Sequence, residues 1–169
     1  MSVKENIAIV RNNIEKACAV SGRDISGVTL IAVSKTKPVS DIKEAYDAGC
    51  RDFGENRVQE IIEKYDALPS DIRWHMIGHL QTNKVKYIIN DVSLIQSVDS
   101  LKLAREIDRQ AAKNSLTANV LIEINIGGEE QKSGISVDAL EAFEPYTLRY
   151  AAPEPISTNS SEVVLIKIA

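Results

Sequence analysis

Short apolar runs alternate along the chain with longer segments in which apolar residues recur at helical spacing. The first such segment carries Ile7, Val10, Ile14 and Ala17 three or four positions apart, which predicts an amphipathic helix. Gly22 follows as its stop, because glycine readily adopts the left-handed conformation that ends a helix. The chain is therefore expected to begin with a helix rather than a strand.

A continuous apolar run at residues 30–33, inside the segment 28–35, predicts a first strand buried on both faces, as in a parallel sheet. Further strands are predicted at residues 51–55, 72–77, 92–98 and 119–126, the first of them weak. Helical spacing predicts helices at residues 38–48, 58–68, 85–89, 101–113 and from 137 to 143.

Five strands that alternate with helices through short connections predict right-handed βαβ units and a parallel sheet. Two architectures fit this pattern, a doubly wound open sheet and a barrel. The leading helix and the lack of a G-x-G-x-x-G motif after the first strand favour the barrel. A closed eight-stranded barrel needs about 200 residues or more, and this chain has 169. We therefore expect an α/β fold, a TIM-type (β/α) barrel that is incomplete, with five to six βα units.

Composition narrows the class of protein. A hydrophobic fraction of 44%, a charged fraction of 26% and a net charge of −4 are ordinary for a globular protein. Basic residues are spread along the chain, which argues against nucleic acid as a partner. The chain has no apolar run of membrane-spanning length, no signal-like N-terminus, and only two cysteines, Cys18 and Cys50. These features predict a cytoplasmic protein with free buried thiols and no membrane partner.

The chemistry of parallel α/β folds lies at the carboxyl ends of the strands. Lys35 comes directly after the first predicted strand, at the rim of the core. Desolvation and neighbouring cations can lower the pKa of such a lysine and yield the neutral amine that attacks a carbonyl group. By position alone, Lys35 is either a Schiff-base lysine or a solvated residue at a strand end, and Lys37 is either a second cation or a surface residue.

The two histidines, His75 and His79, lie four positions apart across a predicted strand-to-loop transition. The chain has no H-E-x-x-H pattern, so the spacing does not favour a metal site. A hydrogen-bonded structural role for His75 is the alternative. A Walker-type phosphate loop and a G-x-S-x-G nucleophile motif are likewise missing from the sequence.

Five segments, taken together and in order, resemble the pyridoxal-phosphate (PLP) homeostasis family, whose fold is like the N-terminal barrel of alanine racemase. They are LIAVSKTKP (30–38), FGENRVQE (53–60), WHMIGHLQTNK (74–84), SVDS (97–100) and VLIEINIGGEEQKSGI (120–135). The resemblance covers roughly residues 5–143 and decides between the two interpretations of Lys35.

The resemblance implies that Lys35 carries PLP as a Schiff base and that Asn56 lines the cofactor pocket. His75 and Gly78 fall in the family's third-strand signature, and Lys132 matches a lysine thought to matter for cofactor handling. The implied function is PLP binding in intracellular vitamin B6 homeostasis without a catalysed reaction, with PLP-dependent apo-enzymes as candidate recipients. The alternatives are a PLP-dependent racemase or decarboxylase, which needs a second acid–base residue opposite Lys35, and a truncated member without function.

After Phe143 the resemblance stops. The family continues with a sixth strand, an S-M-G-M-S-type turn and a final R-I-G-x-x-I-F-G, none of which follows here. We therefore expect an incomplete barrel domain at residues 1–143 and an atypical tail at residues 144–169, produced by a frameshift or an altered end of the gene. The family's phosphate-binding loops and pyridine-facing arginine cannot be assigned to residues of this chain, which predicts weak or absent PLP retention compared with a full-length relative. An unpaired strand edge is also expected, with the apolar run 163–168 as its candidate cover.

Overall fold

A computed structural model of the chain describes residues 1–125 and 133–136. The α-helices are α1 (Val3–Ser21), α2 (Val39–Asp47), α3 (Val58–Tyr65) and α4 (Leu101–Lys113), and the strands are β1 (Ile31–Val33), β2 (Asp52–Glu55), β3 (Arg73–Met76), β4 (Val92–Val98) and β5 (Val120–Ile122). This order confirms the predicted alternation over the described residues, including the weak second strand. The helix predicted from residue 137 to 143 lies outside them.

The first helix is fixed at both ends by local chemistry. Ser2 and Glu5 form a reciprocal capping box, in which each side chain accepts a hydrogen bond from the other residue's backbone N–H. Gly22 ends the helix with φ of 68°, a left-handed conformation that glycine adopts without strain. The predicted helix and its stop are confirmed, and α1 packs against α2.

The five strands form one parallel sheet whose spatial order follows the sequence, β1-β2-β3-β4-β5. A doubly wound sheet would reverse its strand order at a switch point, whereas a barrel adds each strand beside the one before it. The sequential order is therefore that of a barrel wall, in agreement with the prediction. An isolated bridge between Ile124 and Ile135 extends the pairing beyond β5.

The two faces of the sheet carry different side chains. We call the face packed against the helices the helix face; Phe53, Trp74 and Met76 lie on it and are about 1% exposed. The opposite, inner face carries polar groups at the alternate positions, including Asp52 and His75. Burial of large apolar side chains on the helix face supplies the main stabilisation of the wall, at roughly 25 cal/mol per Å² of apolar surface.

Two local predictions are wrong. The first strand was expected to be buried on both faces, but Val33 is 54% exposed. Within the described sheet β1 is an end strand that pairs with β2 alone, so it lacks a neighbour on its other side. The short helix predicted at residues 85–89 is instead a 3₁₀ helix at Thr82–Tyr87. None of the described helices combines the length and apolar character needed to cross a bilayer.

Candidate functional site

Lys35 lies two residues beyond β1, at the carboxyl end of the strand. The Ser34 N–H continues the ladder by donating to the Gly54 carbonyl at 3.0 Å. The Ser34 side chain points to the helix face, where it reaches Glu55, so strand alternation directs Lys35 toward the inner face. Lys35 is exposed, and its amine has no hydrogen-bond or ion-pair partner among the residues that the structure describes. The amine is therefore available for an external group.

Asn56 and Gly78 meet where the next two strands end. The Ile77 N–H donates to the Glu55 carbonyl at 2.9 Å, which brings the segment after β3 against the segment after β2. A Cβ placed on Gly78 would lie 2.6 Å from the Asn56 carbonyl oxygen and 2.8 Å from its Cα. Only glycine tolerates this approach, because those neighbours are backbone atoms. The Ser97 hydroxyl donates to the Gly78 carbonyl and fixes the loop to β4.

His75 is buried on the inner face with both ring nitrogens engaged. Its Nε2 lies 3.1 Å from Asp52 Oδ1, and its Nδ1 lies 3.1 Å from the amide nitrogen of Gln96. A neutral ring with its proton on Nε2 satisfies both contacts, since Nε2–H donates to the carboxylate and Nδ1 accepts from the amide. This is the hydrogen-bonded structural setting that the sequence left as an alternative, and it leaves neither ring nitrogen unbonded.

Asp52 anchors this inner-face cluster. Besides His75 it accepts hydrogen bonds from the guanidinium of Arg73, with Nε 2.8 Å from Oδ1. Burial alone would raise the pKa of Asp52, but the hydrogen bonds from Arg73 and His75 together hold it below its ordinary value. The carboxylate is thus stable in its charged form.

His79 has a different carboxylate partner from His75. It is exposed, and its Nδ1 lies 2.7 Å from Asp99 Oδ2. Among the described residues, no group of three or more histidine, cysteine, aspartate or glutamate side chains is arranged to hold a metal ion.

A buried charged cluster beneath Lys35 was missed by the sequence analysis. Glu55 is fully buried on the helix face and accepts from the Ser34 hydroxyl at 2.6 Å and from Lys64 Nζ at 2.8 Å. Lys64 also bonds Glu60 at 3.0 Å. The signal for the cluster lay in α3, where Lys64 follows Val58 and Ile61 at core spacing and pairs with Glu60 four residues back.

The two carboxyl groups of this cluster differ in acidity. Burial raises the pKa of Glu55 in spite of its hydrogen bonds from Lys64 and Ser34. The backbone N–H of Thr36, together with Lys64, lowers the pKa of Glu60. Glu60 is therefore the firm anion of the cluster, and Glu55 is the group that takes up a proton first on acidification.

Two cavities lie near the predicted site residues. A cavity of about 280 Å³ adjoins Asn56 at the ends of β2 and β3, and its lining includes Arg57 and Lys84. A larger one, of about 470 Å³, lies between α1 and the edge strand and includes Ser34 and Lys37 in its lining. Lys132, the fifth predicted site residue, lies outside the described residues.

The sequential parallel sheet, with a lysine at the end of its first strand whose amine has no partner among the described residues, places the chain in the class of (β/α) barrels. The family model described as "Alanine racemase, N-terminal domain" matches residues 3–149. The chain belongs to this family, and its curated relatives are PLP homeostasis proteins, as the resemblance of the five segments predicted.

The relatives and neighbours agree with that placement. A PLP homeostasis protein of Aquifex aeolicus is 46% identical over 149 residues, which are 88% of this chain and 65% of that protein. The structure of PipY from Synechococcus elongatus with PLP bound is 37% identical, with a TM-score of 0.63 over 78% of this chain and 62% of PipY. An alanine racemase of Clostridium difficile, 18% identical, shares the fold with a TM-score of 0.58 over 78% of this chain and 33% of that one. The chain spans about three fifths of the length of its curated relatives.

Proposed function

We propose that this chain binds pyridoxal 5′-phosphate as a Schiff base on Lys35 and serves intracellular PLP homeostasis without catalysing a reaction. The observation that carries the proposal is the Lys35 amine at the carboxyl end of β1, which has no partner within residues 1–125 and 133–136 and lies beside the end of β2 that carries Asn56. PLP supplies an aldehyde, and an unpaired amine at the rim of a parallel barrel is the group that such an aldehyde needs.

The other predicted residues take supporting roles in this proposal. Asn56 and Gly78 form one wall, whose backbone atoms approach too closely for a side chain at residue 78. We assign His75 to the pocket from the family resemblance; its two ring nitrogens stay bonded to Asp52 and Gln96. We assign Lys132 to cofactor handling from the family resemblance alone. The relatives' name and the PLP in PipY support the cofactor assignment.

The absence of catalysis is part of the proposal. A racemase or decarboxylase needs a second acid–base group opposite Lys35. His75 is an unsuitable candidate, because both of its nitrogens are bonded to protein groups. We propose that the chain holds PLP reversibly in the cytoplasm, limits stray imines and passes the cofactor to apo-enzymes. The two buried, unpaired cysteines suit the reducing conditions there.

The test is an absorbance spectrum of the chain after PLP addition and desalting, followed by borohydride reduction and peptide mass spectrometry. We expect a visible imine band and a reduced PLP adduct on Lys35 in the unmodified chain, and neither in Lys35→Ala. Lys37→Ala is the matched control, since it removes a lysine two residues away and should leave the band unchanged. An equal band in Lys35→Ala would refute the assignment, and turnover of an amino acid with added PLP would revive the enzyme alternative.

A further inference from the structure

The backbone on both sides of Lys35 is tied to one buried cluster. On the amino side, Lys64 Nζ donates to the Ser34 carbonyl at 3.1 Å. On the carboxyl side, the Thr36 N–H donates to Glu60 Oε2 at 2.7 Å. Lys64 and Glu60 are themselves joined at 3.0 Å, so one ion pair on α3 holds the residue before Lys35 and the residue after it.

The turn after Lys35 includes an unfavourable backbone conformation. Thr36 has φ of 62°, a left-handed conformation that is strained for a β-branched residue. Strained residues of this kind persist only where surrounding contacts over-determine them. The N–H of Thr36 is one such contact, and its acceptor is the firm anion of the cluster.

The cluster is anchored on a buried carboxylate. Glu55 is fully buried, and its Oε1 accepts from both Ser34 and Lys64. The other oxygen of Glu55 has no partner among the described residues, so the carboxyl group is held on one side only. Burying a charge without full compensation is costly, so this cluster is weak evidence for added stability.

We propose that Glu60 and Lys64, the latter bonded to Glu55, are positioning residues for Lys35. Their hydrogen bonds to residues 34 and 36 fix the backbone around Lys35, an arrangement that we call the lock, and thereby set how readily the Lys35 amine forms the Schiff base. The lock holds residues 34 and 36 on the helix face, which leaves the Lys35 side chain directed to the inner face, where no residue in the described ranges bonds its amine. A fixed backbone lowers the conformational entropy lost when the amine captures an aldehyde. This inference rests on the proposed function of Lys35 but concerns residues outside the predicted site.

Glu60 is the position to test, because its side chain is partly exposed and its loss should leave the fold intact. Glu60→Ala removes the acceptor for the Thr36 N–H, whereas Glu60→Gln keeps a carbonyl oxygen there and serves as the conservative rescue. Glu63→Ala, an exposed glutamate on the same helix, is the matched control. Urea unfolding of all three variants checks that the fold is retained.

Two measurements test the lock, one without PLP and one with it. The first is amide hydrogen exchange at Thr36 without PLP, which should accelerate about tenfold in Glu60→Ala, the effect of losing one hydrogen bond to a charged group. The second is the rate at which the Lys35-dependent imine band appears with added PLP, which should fall about tenfold in the same variant. Both should stay near the unmodified values in Glu60→Gln and Glu63→Ala.

The outcomes are distinct. Faster exchange at Thr36 with an unchanged imine rate would overturn the positioning role, and unchanged exchange would overturn the lock itself. If the unmodified chain forms no Lys35-dependent band, the proposed function fails, and the positioning role toward PLP is overturned with it. The exchange measurement then still reports whether Glu60 holds Thr36.

Discussion

Strand β2 contributes one buried carboxylate to each face of the sheet, and the two behave in opposite ways. Asp52 on the inner face accepts hydrogen bonds from Arg73 and His75, and its pKa is lowered below the ordinary value in spite of burial. Glu55, three residues later on the helix face, has one oxygen without a partner among the described residues, and burial raises its pKa. The anionic form of a carboxyl group is thus stabilised on the inner face and destabilised on the helix face.

The difference lies in how each carboxylate is compensated. Asp52 is bonded to a half-exposed guanidinium that retains much of its hydration, so the charge pair costs little to bury. Glu55 depends on Lys64, which is itself buried and shared with Glu60. Burial of this charged cluster is costly, and the cluster adjoins the candidate cofactor lysine. We therefore attribute it to positioning of Lys35 rather than to stabilisation of the fold.

The largest effect on stability is expected from Lys64→Met, which leaves the Glu55 carboxylate buried without its cation. We expect the free energy of unfolding to fall by about 3 kcal/mol or more, because the penalty for an uncompensated buried charge exceeds the value of the pair. Urea unfolding measures the change. The double variant Glu55→Gln with Lys64→Met should recover most of the loss, and a double variant as unstable as Lys64→Met alone would show that packing, not charge, is responsible.

A smaller effect is expected on the inner face from His75→Ala. We expect a loss of about 1–3 kcal/mol, because the Asp52 carboxylate keeps Arg73 as a partner while the Gln96 amide loses its acceptor. Arg73→Ala is the comparison variant and should cost less than about 1 kcal/mol, since its side chain is 56% exposed. A larger cost for Arg73 than for His75 would mean that the guanidinium, not the imidazole, holds this cluster together.

The smallest effect is expected in how the stability contributed by Glu55 and by Asp52 depends on pH. Glu55 has a raised pKa in the folded chain, so its stabilising contribution is full below about pH 4.3, the unfolded value, and is lost as pH rises through the folded pKa. Asp52 has a lowered pKa, so its contribution is present above about pH 3.9 and is lost as pH falls through the folded pKa.

Urea unfolding between about pH 7 and about pH 3 measures both contributions. The stability advantage of the unmodified chain over Glu55→Gln should grow as the pH falls toward about 4.3. Its advantage over Asp52→Asn should stay level over that range and shrink below about pH 3.9. Parallel pH profiles for the two variants would contradict the assigned difference between the faces.

Local pattern by itself determined much of the fold. Helical spacing predicted α1 and α4, and Gly22 marked the end of the first helix because its backbone conformation is set by its lack of a side chain. The family resemblance of five ordered segments then selected Lys35 as the lysine of interest. The structure places Lys35 at a strand end, where its amine has no partner among the described residues, while its bond to PLP stays a prediction.

The groups that surround that lysine depend on contacts between distant parts of the chain. Glu55 lies 21 residues from Ser34, and Glu60 lies 24 residues from Thr36, so their contacts arise from the pairing of β1 with β2 and the packing of α3. The exposure of Val33 likewise depends on β1 being an end strand of the described sheet. Local periodicity records which side of an element is apolar, whereas hydrogen bonds between distant polar residues depend on register and packing, which periodicity does not encode.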